Sequence, residues 1–161
     1  MKLRNFIIDD APTILGWCKG KHAFRLWSAD RYADFPASPA EMQKQYEDEE
    51  KFPLTAVVGD EIVGHILLRY SSDDKSIVRF GFVIVDDAKR GKGYGKQMLQ
   101  LAIDYAKRKL GAKKITLGVF NENISALECY KSVGFQIVGE DSYAIDGEEW
   151  KGVEMELRVE S

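Results

Sequence analysis

The sequence predicts a single α/β domain with a mixed, largely antiparallel central sheet flanked by helices. Its 161 residues suit one domain, 1–161, because a chain of this length can bury about two-thirds of its unfolded surface. A β-α-β order is the second observation: an apolar strand over Ile77–Val85, a helix ending near Leu110, and a strand over Lys114–Val119. Three strands that precede the crossover predict an antiparallel meander.

The N-terminal part predicts a strand followed by short helices. Lys2–Ile8 alternates as a strand, and Asp9-Asp10 caps a helix that Gly20 closes. Ser38–Glu41 is a capping box with proline at the first helical position, so a second helix is expected from Pro39 to about residue 50. Its acidic end, 47–50, is most simply a solvated face, and an acidic rim attracting amines is the alternative.

The remaining elements follow from periodicity and turn residues. Gly59-Asp60 joins two strands of the meander, and Ser71–Lys75 leads into the central strand. The expected elements are strands over Leu54–Val58, Glu61–Tyr70, Gly134–Val138 and Trp150–Val159, a helix over Asn121–Val133, and a polar connection over Glu140–Glu149 with its turn at Asp146-Gly147.

Composition limits the possible function. A net charge of -3 disfavours a general nucleic-acid binder, and no run approaches the roughly 18 apolar residues of a membrane span. We expect a cytoplasmic protein, since no signal peptide is evident. Cys18 and Cys129 lie far apart without a nearby Cys or His cluster, so buried or inert thiols are expected and no metal site.

A glycine-cation turn joins the central strand to its helix. Residues 88–96 hold three glycines and four cations and no acid. Unpaired N–H groups and the helix dipole favour an anion at a helix start, and glycines let it approach the backbone. The turn therefore predicts a phosphate or pyrophosphate site, and a glycine-rich turn with solvated lysines is the alternative. The turn does not match the Walker loop, because Gln97 stands where that loop requires Ser or Thr. It does not match the GxGxxG dinucleotide fingerprint either, because Lys96 stands where the third glycine is required.

Two motifs resemble the GCN5-related N-acetyltransferase (GNAT) family. Arg90–Gly95 fits the acetyl-coenzyme A signature [QR]xxGx[GA]. Asn123–Phe135 fits the NxxAxxxYxxxGF block and follows an apolar strand, as in that family. The resemblance implies an acetyl-coenzyme A-dependent N-acetyltransferase that acts on an amine by direct transfer in a ternary complex.

The resemblance also implies which residues hold the donor. The backbone of Val83–Val85 would pair with the pantetheine arm, and the loop N–H groups would surround the pyrophosphate. The expected donor-binding residues are Val83, Val85, Arg90, Gly91, Lys92, Gly93, Tyr94, Gly95, Lys96, Asn123 and Tyr130.

Two of these residues are catalytic candidates. Tyr130 stands where the family's usual general acid lies, seven residues after Asn123 and four before Gly134. A phenol stays protonated at neutral pH and can donate to a leaving thiolate, whereas a buried core tyrosine is the alternative. Asn123 could contact the pantetheine arm or an ordered water, and Asn121 could do so too, although either could simply cap the helix.

The acceptor side is less well defined. Large aromatics are concentrated in residues 21–35, most simply as a helix face on the core. In the resembling family this segment forms part of the acceptor wall, which makes Trp27, Asp30 and Tyr32 candidates for acceptor contacts. Arg79 stands where many relatives have a glutamate base, and guanidinium cannot act as a base. It could bind a substrate carboxylate or form an ion pair with a neighbouring strand.

Deprotonation of the amine must then use another route. The options are a water chain, a carboxylate such as Asp73, Asp74 or Asp30, or an amine that arrives neutral. Cys129 is expected on a different helix face from Tyr130, and no Cys-His pair for a covalent intermediate is evident.

The acceptor class stays open: small-molecule amines and a protein N-terminus both fit, and a homodimer could form through the C-terminal strands. An acyl-coenzyme A sensor without turnover is the alternative function. A nucleotide-binding α/β protein is a third.

Overall fold

All strands of the described chain lie in one sheet. The computed structural model describes residues 1–89 and 91–159. The strands are β1 (Lys2–Asn5), β2 (Lys51–Val58), β3 (Glu61–Tyr70), β4 (Ile77–Val85), β5 (Lys114–Phe120), β6 (Gln136–Ile145) and β7 (Glu148–Arg158). Their order is β1-β2-β3-β4-β5-β7-β6, and only the β4–β5 pair is parallel. The mixed, largely antiparallel sheet is therefore confirmed.

Helices cover both faces of this sheet. They are α1 (Ala11–Gly16), α2 (Lys21–Ser28), α3 (Pro39–Gln45), α4 (Tyr94–Leu110) and α5 (Ile124–Ser132). Side chains alternate across β3, so Ile66 and Leu68 pack in the same core cluster as Met98 of α4. Leu67 faces the other way and packs with Ile14 of α1 and Met42 of α3. The α1–α3 face and the α4–α5 face thus have separate cores.

A β-bulge interrupts β4. Its register with β3 shifts between the pairs Leu67–Gly81 and His65–Ile84, and Phe82 has a φ of +50° there. This backbone conformation is strained for a phenylalanine and is tolerated where the surroundings fix it. The Phe82 ring packs edge-on against Trp27 at 5.2 Å between ring centroids. Bulges often redirect a strand beside an active site, and this one precedes the residues expected to meet the donor.

β4 and β5 stop pairing just before the bulge. Their register pairs run from Ile77 with Lys114 to Arg79 with Thr116. The backbone of β4 from Phe80 onward therefore has no β5 partner on that side among the described residues. A gap opens in the middle of the sheet where a ligand backbone can pair with β4.

Buried Arg25 fixes α2 over this gap. Its guanidinium donates to Asp146 Oδ2 at 2.9 Å, to the Tyr32 carbonyl at 2.6 Å and to the Ala33 carbonyl at 3.1 Å. Asp146 lies in the β6–β7 turn, so one side chain connects α2, the segment that follows it and the C-terminal hairpin. Arg25 is only 3% exposed, which makes the satisfaction of its donors essential.

Several sequence-predicted bounds were wrong, among them the start of β2 and the end of α1. β1 ends at Asn5 because the Asp10 carboxylate accepts the Ile7 N–H at 3.1 Å and turns the chain, and Asp10 does not cap α1 through its side chain. α3 has the predicted capping box but ends at Gln45, where the Lys51 ammonium donates to the last carbonyl at 2.7 Å. The following acidic run would oppose a helix C-terminus.

The polar connection expected over Glu140–Glu149 is instead mostly strand. β6 and β7 pair continuously to Ile145 and Glu148, and only the predicted Asp146-Gly147 turn remains. Polar residues fit here because β6 is an edge strand with exposed side chains.

Candidate active site

Two cavities meet at the gap between β4 and β5. One, of about 550 Å³, lies between the end of β4, the loop before α4, and α5. The other, of about 130 Å³, lies against α2, β3 and the β6–β7 hairpin. We call them the donor cavity and the acceptor cavity, after the substrate that the sequence leads us to expect in each. Both are lined by Leu26, Trp27, Val83, Asn123 and Tyr130, so these residues mark the junction.

The loop before α4 has the backbone that an anion site needs. Gly91 has a φ of +81° and Gly93, the N-cap of α4, a φ of +72°. L-residues adopt this region at a cost of about 1–2 kcal/mol, which explains the two glycines. Neither has a neighbouring atom closer than 4.0 Å to an added Cβ, so the constraint is conformational.

Gly95 differs from the other two loop glycines, because its φ is not positive and it lies in the first turn of α4. An added Cβ would lie 3.5 Å from Cys129 Sγ, an ordinary contact. Because the residue lines the donor cavity, glycine here keeps space open at the helix start, where unpaired N–H groups point outward.

The structure brings most of the predicted donor residues together. Val83, Val85, Gly91, Gly93, Tyr94, Gly95, Lys96, Asn123 and Tyr130 all line the donor cavity. Lys92 does not; it is exposed, and its ammonium lies 6.0 Å from the centre of the Tyr94 ring. Arg90, the first residue of the signature, lies outside the described residues.

Tyr130 is buried at the junction. It is 5% exposed, and its ring packs edge-on against Phe135 at 6.0 Å. Its hydroxyl has no hydrogen bond to another described residue, while the side chain lines both cavities. Burial raises the pKa of the phenol well above its usual value, and the neighbouring Cys129 adds to this. The hydroxyl therefore stays protonated over the physiological range.

Asn123 occupies the N-cap of α5 but does not cap it through its side chain. The half-buried amide instead lines both cavities. Asn121 is exposed and lines neither cavity. Of the two asparagines, only Asn123 is placed for contact with a ligand.

The two thiols also line the donor cavity, against the expectation that Cys129 would face elsewhere. α5 packs on α4 at Gly95, which directs Cys129 toward the cavity. Burial raises the pKa of Cys129, and burial together with Asp87 raises that of Cys18 to about 12. Neither thiol is disposed to form a thiolate nucleophile.

The acceptor candidates separate into two groups. Trp27 and Arg79 line the acceptor cavity. Tyr32 and Asp30 do not: Tyr32 is 4% exposed and stacks on Trp27 in the aromatic core, while Asp30 lies on the surface. The aromatic segment is thus chiefly core, as the simplest interpretation held, and Trp27 alone of these three reaches the site.

Arg79 forms the ion pair that the sequence left as one option. Its guanidinium contacts both oxygens of the Glu154 carboxylate, with Nη2 to Oε2 at 3.2 Å, and donates to Thr116 Oγ1 at 3.2 Å. Glu154 belongs to β7, two strands away, so this contact crosses β5. Asp73 and Asp74 lie in the exposed turn before β4, at the opposite end of that strand from the junction.

Sequence reasoning missed four charged residues of the acceptor cavity. Lys51 of β2 and Arg69 of β3 line it, together with Asp141 of β6 and with Arg31 from the segment after α2. Asp141 is the single carboxylate among the described lining residues. These strands are far apart in sequence, and only the sheet register could have brought them together.

A family model described as the acetyltransferase (GNAT) family matches residues 21–135. The chain belongs to this family. Members use acetyl-coenzyme A, which suits the loop and cavity described above. The matched range contains the loop, both junction residues of α5 and the aromatic segment, so every predicted site residue falls within it.

Curated relatives match parts of this GNAT chain. An uncharacterized N-acetyltransferase of Bacillus subtilis, YvbK, is 39% identical over 84 residues, 52% of this chain and 52% of the relative. The spermine/spermidine N(1)-acetyltransferase of the same organism is 36% identical over 75 residues, 44% of this chain and 47% of the relative. The matches thus span about half the length of these relatives.

The solved structures agree on the GNAT fold. A spermidine N-acetyltransferase from Vibrio cholerae, in complex with CoA and spermine, has a TM-score of 0.81 at 21% identity, covering 98% of this chain and 94% of that one.

Within residues 1–89 and 91–159, no helix is long and apolar enough to cross a membrane. The same residues contain no group of three or more His, Cys, Asp or Glu side chains that could hold a metal ion.

Proposed function

We propose that residues 1–161 form one N-acetyltransferase domain that transfers the acetyl group of acetyl-coenzyme A to a primary amine, directly and within a ternary complex. One observation supports this most strongly: the donor and acceptor cavities meet at Tyr130 and Asn123. Two substrates that occupy these cavities would meet there. Proximity of this kind is a large part of the rate enhancement of a bimolecular reaction.

The donor is held chiefly by backbone groups. The unpaired edge of β4, over Val83–Val85, would pair with the amides of the pantetheine arm. The loop N–H groups from Gly91 to Lys96 would surround the pyrophosphate, with the positive end of the α4 dipole behind them. Lys96 adds a cation at the wall of the cavity.

The chemistry then needs two proton movements. The amine nitrogen attacks the acetyl carbonyl carbon, the C–N bond forms, and the C–S bond breaks with its electron pair on sulfur. Tyr130 donates its proton to the leaving thiolate, and Asn123 orients the donor. Asp141, the carboxylate in the acceptor cavity, receives the amine proton directly or through water. A covalent acetyl-cysteine is disfavoured by the raised thiol pKa values of Cys18 and Cys129.

The test is calorimetric titration with acetyl-coenzyme A, coenzyme A and ATP, followed in the same sample by thiol release across a panel of amines. Selective coenzyme A binding with thiol release supports the transferase. Selective binding with no release from any amine favours the acyl-coenzyme A sensor. Binding of ATP equal to that of coenzyme A would remove the pantetheine contact and with it the proposal.

Two glycines give a matched test of the loop. Gly93 and Gly111 both have a φ of +72°, at opposite ends of α4, so alanine should strain both alike. Gly93→Ala should weaken acetyl-coenzyme A binding, whereas Gly111→Ala should lower only the thermal midpoint. Equal affinity in both variants would place the donor elsewhere.

A further inference from the structure

A row of like charges crosses the sheet in the acceptor cavity. Lys51 of β2 lies directly opposite Arg69 of β3, and Arg69 lies directly opposite Arg79 of β4. We call these three residues the cation row. Directly opposite side chains have Cβ atoms about 4.5–5.5 Å apart, and like charges at that spacing are destabilising. Arg31, from the segment after α2, adds a fourth cation to the same cavity.

Only part of this charge is neutralised inside the protein. Arg79 pairs with Glu154, and the Lys51 ammonium donates to the Gln45 carbonyl at 2.7 Å. The half-buried Arg69 side chain and the exposed Arg31 side chain have neither an ion pair nor a hydrogen-bond acceptor among the described residues. Burial lowers the pKa of Arg69, and Arg31 and Arg79 lower it further. For Lys51, burial lowers the pKa, and Arg69 and Arg31 lower it further, against an opposing effect of Asp48.

The acidic side chains nearby do not balance the cavity. The run over residues 47–50 lies outside the lining, and Glu50 pairs with Lys75 instead. Asp141 is the one carboxylate among the described lining residues. The acceptor cavity thus has a surplus of positive charge, which would repel a second ammonium group and attract an anion.

We infer that the acceptor carries an anionic group, a carboxylate or phosphate, that binds Arg69 and Arg31 while its amine reaches the junction. This deepens the proposed function and rests on it. The spacing follows from β4: Val83 is four residues after Arg79, which is at most about 13 Å at 3.3 Å per residue, because the bulge at Phe82 shortens the strand. Long arginine side chains shorten this gap, so the anion and amine need not be adjacent but should be separated by several bonds.

The test compares amines that differ only in the anionic group. The series is glycine, 4-aminobutanoate and 6-aminohexanoate, each paired with the amine lacking its carboxylate, plus phosphoethanolamine with ethanolamine, and spermidine. Thiol release from acetyl-coenzyme A is followed with wild-type protein, Arg69→Gln, Arg31→Gln and Arg158→Gln. Arg158, exposed at the far end of β7 and outside both cavities, is the matched control.

We expect each anionic amine to be used better than its partner, with the longer amino acids ahead of glycine. Arg69→Gln should raise the KM for the anionic amines by at least about tenfold and leave kcat and the KM for neutral-tailed amines unchanged. Arg31→Gln should act in the same direction, and Arg158→Gln should change neither constant. Preference for spermidine, or equal use of both members of every pair, would overturn the inference while leaving the transferase intact.

A binding measurement tests the anion site independently of acetyl transfer. The N-acetylated carboxylates should raise the thermal midpoint of the coenzyme A-saturated wild-type protein but not that of Arg69→Gln. If this shift occurs without thiol release from any amine, the anion site stands and the transferase proposal fails. If coenzyme A binds and these carboxylates shift neither protein, the anion site is refuted.

Discussion

Removing the hydroxyl of Tyr130 should slow acetyl transfer without weakening the fold or the binding of the donor. Tyr130→Phe keeps the ring, and with it the packing against Phe135. The hydroxyl makes no hydrogen bond to a described residue, so its loss should change the free energy of unfolding by no more than about 1 kcal/mol. Donor affinity should also stay close to wild type, because backbone groups make most of the proposed contacts.

The expected kinetic loss is much larger than that. General acid catalysis contributes about 10²–10⁴-fold, so kcat should fall by that factor, or by about 3–5 kcal/mol of activation free energy. Since burial raises the pKa of Tyr130, the acid stays protonated as pH rises. The wild-type rate should therefore show no loss attributable to Tyr130 below about pH 10.

The assay compares two acyl donors. With acetyl-coenzyme A the leaving group is an alkyl thiolate that needs a proton. With the acetyl ester of 4-nitrothiophenol the leaving thiolate is a much weaker base and needs none. The ratio of wild-type to Tyr130→Phe activity should approach one with the aromatic thioester and stay large with acetyl-coenzyme A.

Tyr32→Phe is the matched control, because Tyr32 is also buried, lines neither cavity and has a hydroxyl with no hydrogen-bond partner among the described residues. Its removal should leave the rates unchanged. The acid role would be refuted by full activity of Tyr130→Phe, or by an equal defect with both donors, since a misplaced ring would slow both reactions alike.

Three further predictions concern stability and binding. Gly95→Ala should raise the free energy of unfolding by about 0.5–1 kcal/mol, because alanine is the better helix residue. The same variant should bind acetyl-coenzyme A more weakly in a calorimetric titration. Tight binding would show that the cavity tolerates a methyl group at this position. His65 is fully buried, 2.7 Å from the Tyr46 hydroxyl, and burial lowers its pKa to about 3. In the unfolded chain this imidazole takes up a proton below about pH 6.5, whereas in the folded protein it stays neutral. His65 should therefore lower the free energy of unfolding by about 1.4 kcal/mol for each pH unit as pH falls from about 6.5 toward 3. Denaturant titrations at pH 7, 5.5 and 4.5 should show that His65→Gln removes this contribution of His65 to the pH dependence. Arg25→Met should lower the free energy of unfolding by about 3 kcal/mol and raise the acceptor KM, since Asp146 and three backbone carbonyls lose their donor. A change below about 1 kcal/mol would contradict the proposed anchoring of α2.

Local signals were enough to predict most of the fold. The apolar run Ile77–Val85, the Gly111 cap and the Ser38 capping box each act within a few residues, and the structure has all three. The errors came where distant groups decided the bounds. The Asp10 carboxylate turns the chain after β1 and accepts no capping hydrogen bond from the N–H groups of α1. Pairing with β7 extends β6 through polar residues.

Much of the lining of the donor cavity could be predicted, because most of the elements that form it follow one another along the chain. The end of β4, the loop and α4 are consecutive, and the second motif adds Asn123 and Tyr130. The acceptor cavity combines α2 with residues of every strand from β2 to β7, so its composition depends on the register and crossover of the sheet. Asp141, Lys51 and Arg69 carry no local signal of their position, whereas Trp27 was found because it belongs to a dense aromatic segment.

The cation row shows why residues brought together by the sheet register are not predicted from the sequence, and how their role can be tested. The register that places Leu54 opposite Ile66 also places Lys51 opposite Arg69. The sheet therefore cannot bury the apolar pair without also bringing the two cations together. Opposed like charges should cost up to about 1 kcal/mol per pair, a cost with no structural return. Replacement of a residue that serves only the fold lowers the stability of the protein. Arg69→Gln should instead raise the thermal midpoint while it weakens the binding of anionic acceptors. A lower midpoint in that variant, with Arg158→Gln unchanged, would instead make Arg69 a structural residue.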